Sequence, residues 1–136
     1  MKIKKAQLEN IDEISFFDRH IPRERLESCI KNNMVYVLSD SEIRGVLRYS
    51  LFWQTIPFLD LIFLDESYRD KGYGSEMMQE WETEMKQNGY KYVMTSTQAD
   101  EDSWKFYKKL GYHKVGGFFP PEQEAEELIY LKSLKP

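Results

Sequence analysis

The sequence is poor in the residues that form disulfides and zinc sites. Cys29 is the only cysteine, so no disulfide can form within the chain, and we expect a reducing, cytoplasmic location. His20 and His113 are the only histidines, and neither has a cysteine near it. Because zinc in proteins is held mainly by clustered cysteine and histidine, we predict no metal site.

Long apolar runs and an excess of basic charge are also missing. No apolar run approaches the roughly 20 residues of a membrane-spanning helix. The first ten residues lack the apolar segment of a signal peptide. The net charge of −4 and the isoelectric point near 5.3 leave no basic surplus for binding nucleic acid in general. We therefore expect neither a membrane nor a nucleic acid as partner.

The composition that remains is that of a folded protein. The chain has 136 residues, of which 41% are hydrophobic and 31% are charged. This length is sufficient for one core without disulfide or metal support. We therefore predict a single domain spanning residues 1–136.

The spacing of apolar residues predicts an α/β fold with the element order β-α-α-β-β-β-α-β-α-β-β. Asn10 and Glu13 suggest a capping box on the first helix, and Pro22 suits the first turn of the second. Gln54 to Pro57 is expected to separate two strands. The predicted strands cover residues 2–7, 34–38, 43–53, 58–64, 90–96, 112–117 and 125–131. Such an order predicts a mixed sheet flanked by helices.

A glycine-containing turn, Arg69-x-x-Gly72-x-Gly74, stands where the strand ending at Leu64 gives way to a helix. The first turn of a helix has backbone N–H groups without partners, and its dipole favours anions. Glycines let a phosphate approach that backbone closely. The alternative is an ordinary turn whose glycines only relieve backbone strain. A dinucleotide fingerprint fails because Met77 stands where a third glycine is needed, and no Walker loop is present.

Two segments together resemble the GNAT superfamily of acyl-CoA-dependent N-acetyltransferases. The turn from Tyr68 to Gly74 is similar to that family's Arg/Gln-x-x-Gly-x-Gly/Ala signature. The segment from Ser103 to Tyr112 is similar to its Ala-x-x-Phe/Leu-Tyr-x-Lys-x-Gly-Phe/Tyr block. The two segments follow the family's order and separation. The resemblance implies a central splayed sheet and acetyl-CoA as cosubstrate.

The resemblance implies that the pantetheine arm of the cofactor pairs with strand backbone. It also implies that the pyrophosphate rests on amides of the glycine turn. Asp70 departs from the family, where glycine is frequent, and its carboxylate would repel a pyrophosphate unless it points to solvent or Lys71 offsets it. The residues that the resemblance implies for the cofactor are Ile62, Leu64, Arg69, Asp70, Lys71, Gly72, Tyr73, Gly74, Ser75 and Ser103.

Tyr107 and Asp60 are the candidate catalytic residues. The resemblance puts Tyr107 beside the thioester sulfur, where a phenol that is protonated at neutral pH can supply the leaving thiolate. The alternative is an ordinary core tyrosine. Asp60, four residues before Leu64 and on the same face if the strand is regular, is a candidate base for the amine. Alternatively, Asp60 only binds a cationic substrate or belongs to the solvated part of the sheet.

The acceptor pocket implied by the resemblance contains His20, Trp53, Phe58 and Phe118, although these aromatic residues suit a core equally well. We predict direct transfer of acetyl from acetyl-CoA to a primary amine of a small molecule or peptide, by a monomer or homodimer. Cys29 lies on the apolar face of a helix and does not suit a covalent intermediate. One alternative is a non-catalytic module that senses acyl-CoA on the same fold, and another is an interaction protein without a cofactor.

Overall fold

A computed structural model describes residues 1–135; residue 136, the end of the predicted domain, lies outside the described residues. The strands are β1 (Lys2–Lys5), β2 (Val35–Ser39), β3 (Ile43–Phe52), β4 (Ile56–Leu64), β5 (Tyr92–Gln98), β6 (His113–Phe118) and β7 (Glu127–Ser133). The helices are α1 (Ile11–Phe17), α2 (Arg23–Lys31), α3 (Tyr73–Gln87) and α4 (Ser103–Lys109). This order confirms the predicted β-α-α-β-β-β-α-β-α-β-β pattern.

The strands form a seven-stranded mixed sheet in the order β1-β2-β3-β4-β5-β7-β6. The β4–β5 ladder is parallel, whereas the β1–β2, β2–β3, β5–β7 and β6–β7 ladders are antiparallel. Two compact units share the chain: unit 1 contains residues 1–50 and 60–83, and unit 2 contains residues 51–59 and those from 84 onward. The predicted domain boundaries 1–136 stay a prediction. None of the helices in the described part of the chain is long and apolar enough to cross a membrane.

In unit 1, α1 and α2 cover one face of the first strands. Their inner residues, spaced as the sequence predicts, form one buried cluster with residues of β2 and β3: Ala6, Ile11, Ile14, Leu26, Ile30, Val35, Val37, Ile43 and Val46. Burying this apolar surface is what holds two short helices that would not be stable alone. The predicted capping box is wrong, because the Asn10 side chain makes no capping hydrogen bond. Pro22 is the N-cap of α2 rather than part of its first turn.

Helix α3 buries the apolar stripe that its sequence predicts. Met77, Met78, Trp81 and Met85 are all buried. Within unit 1, the Trp81 ring lies 5.7 Å from that of Tyr49 in β3. The helix ends before Gly89, whose φ of +93° favours glycine over any other residue, as the Asn88-Gly89 pair predicts.

In unit 2, β5 pairs along its whole length with β7, and β7 pairs with β6. Strand β4 begins at Ile56, two residues earlier than predicted. The reason is a tight turn, in which Gln54 N donates to Leu51 O and Thr55 N donates to Phe52 O. The next strand therefore begins directly after Thr55. Trp53 and Gln54 both have positive φ, as in a type I′ hairpin turn.

Candidate active site

The glycine turn in unit 1 lies between the end of β4 and the start of α3, as the sequence predicts. Gly72 has a φ of +89°, and a Cβ placed there would meet no atom within 4 Å. Its carbonyl accepts the first helical bond, from Glu76 N at 3.1 Å. The amides of Tyr73, Gly74 and Ser75 belong to the first turn of the helix and lack intrahelical partners. An anion of phosphate size can therefore reach these amides without meeting a side chain at Gly72.

Asp70 occupies a backbone conformation that glycine adopts freely. Its φ is +59°, in the left-handed region, where aspartate and asparagine are the best tolerated residues after glycine. The side chain is exposed. Aspartate at this position, where glycine is frequent in the family, is thus compatible with the turn. The Asp70 carboxylate lies only a few residues before the amides that are predicted to hold the phosphate.

The Arg69 side chain folds back on β4. Its Nε donates to the Leu64 carbonyl oxygen at 3.0 Å, and its guanidinium carbon lies 5.0 Å from the centre of the Phe63 ring. These contacts join the start of the glycine turn to the end of β4. The predicted contact of Arg69 with a pyrophosphate stays a prediction, as do the roles of Ile62, Lys71 and Ser103, the residue that begins α4.

The segment before the turn is tied to the β2–β3 connection. The Tyr68 hydroxyl donates to Asp40 Oδ2 at 2.8 Å, and Arg44 pairs with Asp40 at 3.1 Å. The Glu42 backbone amide, 2.9 Å from Asp40 Oδ1, together with Tyr68, lowers the pKa of Asp40 to about 2. The backbone is joined directly as well, because Asp65 N donates to Arg44 O at 2.7 Å. The glycine turn is therefore held at its N-terminal side by several independent contacts.

Asp60 belongs to a partly buried charge cluster in unit 1. Arg48 Nε donates to Asp18 Oδ2 at 2.6 Å, and Arg48 Nη1 lies 3.4 Å from Asp60 Oδ2. The side chain of Asp18 is fully buried, that of Arg48 is 12% exposed and that of Asp60 is 27% exposed. Burial raises the pKa of Asp60, while the Ser50 hydroxyl and Arg48 oppose this rise. One guanidinium thus faces two carboxylates, and the cluster keeps a net negative charge.

This cluster lines a cavity of about 570 Å³. Its lining residues are Ile21, Pro22, Glu24, Arg25, Ser28, Cys29, Arg48, Ser50 and Asp60. Burial raises the pKa of the Cys29 thiol, so this side chain is a poor nucleophile, as its position on the helix predicts. A cation that enters the cavity would meet the carboxylate of Asp60 at its wall.

The expectation that Asp60 and Leu64 share a strand face is wrong. Asp60 contacts Arg48, whereas Leu64 packs over Gly45, and these two β3 residues point to opposite faces. Leu61, the residue after Asp60, packs against the buried cluster of α1 and α2 and therefore lies on the same face as Asp60. Two successive residues directed to one face mean that β4 is irregular at this step, so the alternation assumed from sequence does not continue through it.

Tyr107 is buried in unit 2 between two aromatic rings. Its ring centre lies 5.3 Å from that of Phe106 and 5.8 Å from that of Tyr112. Burial raises the pKa of Tyr107 above its ordinary value of 10, and the carboxylate of Glu101 adds to this, whereas a hydrogen bond with Thr95 opposes it. The phenol is therefore protonated at neutral pH, as a general acid must be.

The structure separates the residues predicted for the acceptor pocket. His20 lines a cavity of about 410 Å³ in unit 1 that also contains Arg69 and Phe63 but not Asp60. In unit 2, Trp53 is at a hairpin tip and is 78% exposed. The centre of its ring lies 4.7 Å from that of Phe52, and the Phe52 ring stacks on that of Phe58. Phe118 is exposed at the end of β6. Their roles stay predictions.

Sequence reasoning missed three residues that belong to the surroundings of Asp60 and Tyr107. Arg48 lies between buried apolar residues of β3, Leu47 and Tyr49, and a charge in such surroundings signals a buried partner. Asp18 and Thr95 carry no comparable signal, because each is an ordinary polar residue in sequence and gains its partner only in the fold.

Comparison with known structures supports the same fold. Ard1 from Thermoplasma volcanium superimposes with a TM-score of 0.87 at 15% identity, over 99% of this chain and 98% of that one. The ribosomal-protein-S18-alanine N-acetyltransferase from Escherichia coli gives 0.82 at 11% identity, over 99% and 94%. An aminoglycoside 6'-N-acetyltransferase complexed with coenzyme A gives 0.82 at 17%, over 100% and 98%. The curated proteins include no significant match to this sequence.

The family itself is established from the sequence. Residues 3–112 match the Acetyltransferase (GNAT) family, and this range includes both the glycine turn after β4 and the segment of α4 that carries Tyr107. Acetyl-CoA-dependent N-acetylation is the general reaction of that family. The chain belongs to the GNAT acetyltransferases.

Proposed function

We propose that this protein transfers an acetyl group from acetyl-CoA directly to a primary amine of a small molecule or peptide. The observation that carries the proposal is the open glycine turn between β4 and α3, within a chain of GNAT sequence and fold. Structural neighbours crystallised with coenzyme A support the same cosubstrate. No group of three or more His, Cys, Asp or Glu side chains that could hold a metal ion occurs in residues 1–135.

The amides of Tyr73, Gly74 and Ser75 are proposed to hold the pyrophosphate of acetyl-CoA. They lie at the first turn of a helix of 15 residues, where the dipole and the unpaired N–H groups act in the same direction. The pantetheine is proposed to pair with the backbone of Ile62 and Leu64. Acetyl-CoA supplies the activated acetyl group, and the chain supplies position and proton transfer.

The acceptor amine is proposed to bind at the Asp60 cavity. The charged groups there are three carboxylates, of Glu24, Asp60 and the underlying Asp18, and two guanidiniums, of Arg25 and Arg48. The surplus negative charge favours a cationic ammonium over a neutral or acidic ligand. Because burial raises the pKa of Asp60, its carboxylate is a better proton acceptor than an exposed aspartate. Asp60 therefore serves as the proposed base and Tyr107 as the proposed acid.

Two candidate classes of acceptor follow from the neighbours. The named activities of structural neighbours include an aminoglycoside 6'-N-acetyltransferase and a ribosomal-protein-S18-alanine N-acetyltransferase. A cavity of about 570 Å³ suits a small amine or the first residue of a peptide. The oligomeric state, monomer or homodimer, and the cytoplasmic location stay predictions.

The test combines binding with turnover. Calorimetry measures acetyl-CoA binding to the wild type, and thiol release is then followed with kanamycin, spermidine, glutamate and an alanine-initiated peptide. Binding together with amine-dependent thiol release supports the proposal. Binding without release from any amine would favour the acyl-CoA-sensing alternative. Absence of binding at millimolar acetyl-CoA, with no rise in Tm, would refute both.

A further inference from the structure

Thr95 in β5 makes a buried hydrogen bond that the ladder does not provide. The residue is 1% exposed, and Thr95 Oγ1 donates to the Leu59 carbonyl oxygen at 3.1 Å. Both residues belong to unit 2. A buried hydroxyl without a partner is costly, so this bond gives the Thr95 proton the acceptor that it needs.

The position of this bond along the strands is informative. The parallel ladder of β4 and β5 consists of Phe58–Met94 and Leu59–Thr95, and Leu59–Thr95 is its last pair. Beyond it, β4 runs on to Leu64 and β5 to Gln98. The hydrogen bond from the Thr95 hydroxyl to the Leu59 carbonyl therefore lies at the last pair of this ladder.

The same hydroxyl is hydrogen-bonded to Tyr107. A threonine hydroxyl has one proton and two acceptor lone pairs. Since the Thr95 proton is directed to the Leu59 carbonyl, the Tyr107 hydroxyl must donate to Thr95 Oγ1. The three groups form a chain in which Tyr107 donates to Thr95 and Thr95 donates to Leu59.

We propose that Thr95 is a positioning residue that directs the Tyr107 hydroxyl and then stabilises its phenolate. The inference rests on the proposed function, in which Tyr107 is the acid. The amine nitrogen bonds to the acetyl carbon and the carbon–sulfur bond breaks. The Tyr107 hydroxyl turns its proton from Thr95 Oγ1 to the sulfur, which takes it. Thr95 then turns its own proton from the Leu59 carbonyl to the phenolate oxygen. Asp60, the proposed base, takes the proton that the amine loses, and a proton returned through solvent restores the phenol, so protons balance.

The variants that test this are Thr95→Val, Thr95→Ser and Tyr107→Phe. Valine keeps the shape of threonine and removes the hydroxyl, whereas serine keeps the hydroxyl. The matched control is Thr97→Val, since Thr97 is also buried and lies two residues further along the same strand. We expect Thr95→Val to lower kcat for thiol release about tenfold, the equivalent of one hydrogen bond, with the KM for acetyl-CoA unchanged.

Two further results are expected if Thr95 acts through Tyr107. Thr95→Ser should restore kcat to within about twofold of the wild type. Adding Thr95→Val to Tyr107→Phe should cause little further loss, because the two residues act as one unit. Equal kcat in Thr95→Val and wild type, with Tyr107→Phe slow, would overturn the inference and leave the proposed function intact. Equal losses in Thr95→Val and Thr97→Val would overturn it too.

A measurement without turnover keeps the inference testable if no amine is accepted. Protein labelled at the tyrosine ¹³Cζ reports the hydrogen bonding of each phenol, and Tyr107 is assigned by the signal that Tyr107→Phe removes. At neutral pH this signal should move in Thr95→Val and stay near its wild-type position in Thr95→Ser and Thr97→Val. An unmoved signal in Thr95→Val would refute the chain itself.

Discussion

Removing Arg48 should lower the free energy of unfolding far more than removing Arg23, whose ion pair has the same contact distance. Arg48 and Asp18 approach to 2.6 Å, and their side chains are 12% and 0% exposed. Arg23 and Asp12 also approach to 2.6 Å, but their side chains are 60% and 84% exposed. The two pairs differ in burial and hardly in contact distance. A comparison of Arg48→Met with Arg23→Met therefore isolates the effect of burial.

The expected losses follow from the state of the carboxylate that remains. Without Arg48, Asp18 keeps a charge in a site that water does not reach, and such a loss costs about 3–5 kcal/mol in the free energy of unfolding. Without Arg23, Asp12 is simply hydrated, and exposed pairs of this kind contribute roughly 0–1 kcal/mol. Adding Asp18→Asn to Arg48→Met removes the buried charge and should recover most of the loss.

Urea unfolding followed by tryptophan fluorescence measures all four proteins on one scale. The reasoning requires that Arg48→Met lose at least three times as much as Arg23→Met and that the double variant recover. Similar losses in the two single variants would show that burial does not set the cost of breaking these pairs. Failure of the double variant to recover would show that the packing of the arginine stem, and not the charge of Asp18, is what matters.

The remaining predictions concern activity and pH. Tyr107→Phe should lower the rate of thiol release by about 10²-fold or more, with acetyl-CoA affinity by calorimetry within about twofold; an unchanged rate would remove Tyr107 as the acid. Gly72→Glu should abolish acetyl-CoA binding at a cost of about 1 kcal/mol in backbone strain, and Gly72→Ala, with the same strain and no charge, should bind measurably. Because burial raises the pKa of Asp60 above 3.8, the acidic limb of the pH–rate profile should lie above that value and flatten in Asp60→Asn; superimposable profiles would exclude Asp60 as the base. The backbone amide of Glu42 lowers the pKa of Asp40 from 3.8 to about 2, so its contribution to stability is complete above pH 3.8 and is lost as pH falls towards 2; Asp40→Asn should weaken this dependence of Tm on pH.

The order of the elements and the glycine turn could be predicted because the signals are local. The apolar spacing of α3 and the glycines at 72 and 89 depend only on neighbouring residues and on φ. Element ends were less predictable. Strand β4 begins early because backbone bonds around Trp53 and Gln54 close a tight hairpin, and neither residue is typical of such a turn.

The candidate site was only partly predictable because its charges pair across distant parts of the chain. Asp60 was identified as a chemical group, yet its state depends on Arg48 and, through Arg48, on Asp18 at the end of α1. The irregular step after Asp60 also placed Leu64 on the other face, which no regular alternation predicts. Pairings of this kind are selected by packing and not by sequence neighbours.

The sequence by itself determined the family, the α/β element order and the position of the glycine turn, because periodicity, glycine conformation and motif spacing are properties of contiguous residues. The tertiary structure alone decided that Asp60 shares an arginine with a buried aspartate and that the Tyr107 hydroxyl meets Thr95 where a ladder ends. These features arise from burial, which brings distant polar groups together and makes each of them need a partner.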